Sequence, residues 1–115
     1  MNGTRRVSRL REAKKIAGLL RQANPEKIIL FGSTATGRTW AGSDVDLCVL
    51  VDSYEGRPGF RIVQDLYKLL FAEHYDFPVD LDVKVYSTAD FEDRLAQGDP
   101  FVREIAGGRV LYERQ

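Results

Sequence analysis

Residues 27–51 read KIILFGSTATGRTWAGSDVDLCVLV, and the spacing inside this stretch decides the fold. Lys27 to Phe31 is an apolar run with the length of a buried strand, and Gly32-Ser33 stops it. Thr34 to Ser43, rich in Gly, Ser and Thr, is a connection, after which a second strand opens at about Asp44 and runs to Val51. Side chains two apart in an extended chain point the same way. Val45, Leu47, Val49 and Val51 therefore share one face, and Asp44 and Asp46 bring two carboxylates to the head of the other. Two carboxylates so close repel each other. A hard divalent cation relieves the repulsion, and Mg²⁺ suits the task because it takes one or two carboxylates and completes its shell with water and substrate phosphates.

Outward from this centre the chain alternates helix and strand. On the N-terminal side Val7, Leu10, Ala13, Ala17 and Leu20 recur at steps of three and four, with Arg9, Arg11, Lys14, Lys15 and Arg21 between them, which predicts an amphipathic helix ending near Asn24-Pro25. On the C-terminal side Gly56 to Gly59 is turn chemistry, and Ile62, Leu66, Leu69 and Leu70 define a second amphipathic helix closing near His74. Val79, Leu81, Val83 and Val85 alternate with Asp80, Asp82, Lys84 and Tyr86, a third strand with one buried face. Ser87-Thr88-Ala89-Asp90 resembles a capping box opening a helix with Phe91 and Leu95 inward. Asp99-Pro100 starts another with core residues Phe101, Val102 and Ile105, closed by Gly107-Gly108, and Arg109 to Tyr112 adds a short strand. The expectation is an α/β (α+β) chain: a small mixed sheet with helices packed on it.

Composition narrows the function classes. At 115 residues, one domain spanning 1–115 is expected, with 43% hydrophobic residues enough to build a core. Lys plus Arg and Asp plus Glu are 17 each, so no net field draws the chain to nucleic acid or an anionic membrane. Cys48 is the only cysteine, which excludes an intrachain disulfide and fits a reducing cytoplasm; with His74 the only histidine, a four-ligand zinc site is excluded too. Any metal is held by oxygen. Met1 to Lys15 is charged throughout and the apolar run Leu47 to Val51 is far too short to span a bilayer, so neither export nor membrane insertion is expected.

If the third strand lies beside the second, Asp80 or Asp82 completes a three-carboxylate cluster. Such a cluster can hold two metals about 3.5–4 Å apart, one activating an attacking hydroxyl and one steadying the leaving oxygen. Gly32 lets the backbone approach an anion, and Ser33 adds a hydroxyl and an N–H where a helical turn over Thr34 to Gly37 would aim its positive end at phosphates. Gly32-Ser33-x-Ala35-x-Gly37, then Ser43-Asp44-x-Asp46-Leu47, then an Asp on a later strand, resembles the minimal nucleotidyltransferases of the DNA polymerase β superfamily. The stretch from Gly98-Asp99-Pro100 to Leu111-Tyr112-Glu113 also looks like small stand-alone members, so the resemblance covers about 28–113, with a motif core of about 28–86.

The resemblance implies a polymerase β-like fold and transfer of a nucleoside monophosphate from a nucleoside triphosphate to an acceptor hydroxyl, with pyrophosphate leaving. Carried over, Gly32 and Ser33 bind phosphates, Asp44 and Asp46 hold two Mg²⁺ ions, and Asp82 is the third carboxylate, a metal ligand and candidate base, with Asp80 the alternate on the same face. Many relatives carry arginines in the loop after Gly-Ser; here Thr34 and Thr36 stand there, and Arg38 is the residue that compensates on the nucleotide. Trp40 in that loop either stacks on a nucleobase or covers apolar surface.

Stand-alone members are similar to antitoxins paired with a HEPN-domain ribonuclease toxin, on whose tyrosine AMP is placed. The expected activity is accordingly protein adenylylation from ATP, on a HEPN partner, by a homo- or hetero-oligomer. The alternatives are a catalytically weak or inactive nucleotide- or partner-binding module and a transferase for a small hydroxylated molecule. Lys84 reads as surface rather than phosphate ligand, His74 as a helix-end polar residue, Cys48 as a buried small hydrophobe and the basic first helix as a solvated face.

Overall fold

The apolar runs found in the sequence pair into one sheet. The computed structural model describes residues 9–32 and 45–115. In chain order these form α1 (Arg9–Leu20), a 3-10 turn (Arg21–Ala23), β1 (Lys27–Phe31), β2 (Val45–Val51), α2 (Gly59–Ala72), β3 (Leu81–Ser87), α3 (Thr88–Ala96), α4 (Pro100–Ala106) and β4 (Arg109–Glu113). The strands lie in the order β3-β2-β1-β4. β1 pairs antiparallel with both β2 and β4, whereas β2 and β3 run parallel, their connection made by α2. The sheet is therefore mixed, as expected.

Alternation along the strands divides the core in two. Ile28, Leu30, Val45, Leu47, Val49 and Val83 face α1 and α2, which bury Ala13, Ile16, Ala17, Leu20, Leu66 and Leu70 against them. Ile29, Phe31, Cys48 and Leu50 face the other way, onto Phe91 of α3 and Val102 and Ile105 of α4. After α1 the chain turns at Asn24, whose backbone is left-handed with φ 55°, a conformation Asn tolerates.

Several boundaries and faces differ from the sequence expectation. β3 begins at Leu81, not Val79, because its ladder begins where its parallel partner does, at Val45 opposite Leu81; Val79 is buried all the same, ahead of the strand. Leu95 and Phe101 were expected inward but are 38% and 39% exposed. The core on that face ends with Phe91, Val102 and Ile105, and α3 carries Leu95 past it; Phe101 meets the Phe31 ring edge-on. On α1, Arg9 is buried although it was counted with the solvated charges, and Glu12 is buried where it accepts a hydrogen bond from the Tyr75 hydroxyl at 2.8 Å. Val7 lies outside the described residues.

The two capping signals are realised. Ser87 accepts a hydrogen bond from the Asp90 N–H, and Asp99 Oδ1 accepts from the N–H groups of Phe101 and Val102 at 2.9 and 3.2 Å, with Pro100 in the first turn. Asp99→Ala leaves those donors without their side-chain acceptor and is expected to lower stability by about 1 kcal/mol, read as a lower urea midpoint at unchanged m-value. Among the described residues no helix is long and apolar enough to cross a membrane.

Candidate active site

The antiparallel pairing of β1 with β2 and the parallel alignment of β2 with β3 bring three strand ends to one end of the sheet. Phe31 stands opposite Asp46, and Asp46 stands opposite Asp82. Residues opposite one another across a ladder project to the same side, so Phe31, Asp46 and Asp82 form a single row on the face that carries α3 and α4. Adjacent strands lie about 4.8 Å apart, which sets two acidic side chains side by side without any local sequence proximity.

The two candidates for the third carboxylate stand at different levels of the sheet end. Asp82 is level with Asp46 inside the ladder, whereas Asp80 precedes β3 and contributes its backbone carbonyl, which accepts the Val45 N–H at 2.8 Å. Asp46 is partly buried and Asp82 is half exposed, with 49% of its side chain open to solvent.

Gly32 closes the other side of Asp46. Its φ of +79° is a left-handed backbone that a side chain would strain, and a Cβ built there would stand 2.6 Å from Asp46 Oδ2. The carboxylate thus occupies the volume a side chain at 32 would need. This is a concrete reason for glycine at the position, besides close approach of an anion.

Two further residues flank the row: Tyr67, on which the sequence reading is silent, and Lys84, which it places on the surface. Tyr67 of α2 donates its hydroxyl to the Leu81 carbonyl at 2.7 Å, anchoring the backbone next to Asp82. Its phenol is raised above the usual range, first by burial and then by the negative charge of Asp82. Nothing in the periodicity of α2 marks Tyr67, because its role depends on where β3 starts. Lys84 lies on the same face as Asp82, with Nζ 3.5 Å from Asp82 Oδ2 and 42% of its side chain exposed. Cys48 is fully buried one step inward from Asp46, and burial pushes its thiol up to about 12, so it is an inert packing group.

Asp46 and Asp82 offer the all-oxygen donors that a hard divalent ion prefers. The donor chemistry therefore fits such an ion. Among the described residues no group of three or more His, Cys, Asp or Glu side chains is gathered around one point. The remaining expected members, Ser33, the turn Thr34 to Gly37, Arg38, Trp40 and Asp44, lie outside the described residues.

Comparison with known proteins agrees with this fold. No curated protein matches the chain. Among solved structures, a candidate nucleotidyltransferase from Sulfolobus solfataricus superposes with a TM-score of 0.54 at 18% identity, covering 81% of this chain and 85% of that one. At that identity the likeness speaks for the fold alone. The family model described as polymerase beta, nucleotidyltransferase, matches residues 14–115. A match over that span takes in β1, β2 and β3 together with the acidic row they build, and the chain belongs to the polymerase beta nucleotidyltransferase family.

Proposed function

We propose that the protein is a Mg²⁺-dependent adenylyltransferase that moves AMP from ATP to the hydroxyl of a tyrosine on a HEPN-domain toxin, and so acts as that toxin's antitoxin. The family in general uses a nucleoside triphosphate and a divalent metal. The observation that carries the reading is the row at the sheet end: Asp46 level with Asp82 across a parallel ladder, with Gly32 leaving room for the Asp46 carboxylate. Structural acids on a solvated strand face need no such space cleared beside them.

In this reading Asp44, Asp46 and Asp82 hold the divalent ions, which supply positive charge to the phosphates and lower the acceptor's proton affinity when bound. Gly32, Ser33 and Arg38 are the residues this reading assigns to binding the triphosphate. The acceptor oxygen bonds to the α-phosphorus as the bond to the pyrophosphate oxygen breaks. Asp82, half exposed, takes the acceptor's proton, and pyrophosphate leaves. The HEPN partner and the tyrosine acceptor are supported by the resemblance to stand-alone members of the family.

Calorimetric titration of ATP tests the reading in three samples: protein with Mg²⁺, protein with EDTA, and Asp44→Asn with Mg²⁺. Binding is expected in the first alone. A co-expressed HEPN partner should then gain the mass of one AMP on tyrosine. Failure of ATP and every other nucleoside triphosphate to bind, with the partner present as well, would replace this reading with a partner-binding module.

A further inference from the structure

Lys84 follows Asp82 by two residues on β3, so both side chains project to the face that carries Asp46. Lysine on a half-open strand can extend into water, since its ammonium is strongly hydrated and its stem has many rotamers. Here it folds back toward the start of the strand and brings Nζ to 3.5 Å from Asp82 Oδ2. Its register neighbour is the buried Cys48, one step inward from Asp46. A positive charge therefore stands at the end of the sheet where two carboxylates meet.

We propose that Lys84 is the resident counter-ion of the acidic row, balancing Asp82 until a metal–nucleotide complex brings its own positive charge. The inference rests on the function proposed above and adds a role for a residue outside the expected ligand set. Its physical consequence is a pair of effects with opposite signs. Lys84 repels a bare divalent cation approaching Asp46 and Asp82, and attracts the polyanionic nucleotide that arrives with it. A residue that only supports the fold cannot tighten one ligand and loosen the other.

The test is titration of Mn²⁺ without nucleotide, followed by electron paramagnetic resonance of the free ion, in the wild type, Lys84→Met, Lys84→Arg and Asp46→Asn. Titration of ATP at saturating Mn²⁺ follows in the same proteins. Lys84→Met is expected to tighten Mn²⁺ and weaken ATP, each by about 3- to 10-fold, as loss of one partly screened charge a few ångströms away implies. Lys84→Arg keeps the charge and should stay near the wild type for Mn²⁺. Should Lys84→Met fail to fold, Lys84→Gln replaces it. Asp46-dependent Mn²⁺ binding in the wild type that Lys84→Met leaves unchanged, or shifts in the same direction as ATP, overturns the counter-ion role and leaves the proposed function standing. Absence of any Asp46-dependent Mn²⁺ binding overturns both.

Discussion

Asp46→Asn is expected to lower nucleotidyl transfer by about 10³-fold or more, with little change in stability. Removal of groups that merely orient metal ligands costs about 10- to 100-fold, and loss of a ligand itself should cost more. Asparagine has nearly the same shape, so the position beside Gly32 and opposite Phe31 and Asp82 is kept while a negative charge is removed from the row. The near-isosteric side chain should keep the denaturation midpoint close to the wild-type value. Labelled AMP transfer to the partner, alongside urea unfolding, separates the two readouts. Retention of more than about a tenth of the activity would remove Asp46 from the metal site, because even losing a group that only orients a ligand costs about that much.

Gly32→Ala makes a different demand on the same place. The new methyl would have to share space with Asp46 Oδ2 on a backbone at φ +79°, so either the carboxylate moves or the turn does. The left-handed conformation alone costs an L residue about 1–2 kcal/mol. A displacement near 1 Å at a reacting centre can reduce the rate about 10²-fold. The expected result is therefore a modest fall in the unfolding midpoint with a fall in transfer rate of about two orders of magnitude. Equal, small losses in both would mean that Gly32 serves the turn and not the acidic row.

The sequence carried the elements well because each had a strong local signature. The apolar run Lys27–Phe31 is β1 to the residue, and Ser87 and Asp99 cap the helices they were expected to open. What it could not carry was register. Asp80 and Asp82 both alternate with valine and leucine, and no periodicity distinguishes them; the distinction comes from Val45 pairing with Leu81, a contact between segments 36 residues apart. The same ignorance of neighbours put Leu95 and Phe101 in the core, since helical periodicity gives a face but not the point at which the sheet beneath it ends. Lys84 reads as surface in sequence because lysine usually is, and Tyr67 carries no signal until the start of β3 is known. Ser33, Arg38 and Asp44 are expected from the motif and lie outside the described residues.

Asp46 rides on β2, an interior strand, and Asp82 on β3, at the sheet's edge. Regions held from one side open at lower free energy than those held from both, so excursions that carry Asp82 away from Asp46 are expected without global unfolding. A ligand that needs both carboxylates selects against these excursions, and the free energy of its binding is spent partly on quieting the edge strand. Amide exchange along Leu81–Ser87 is then expected to slow when the row is occupied.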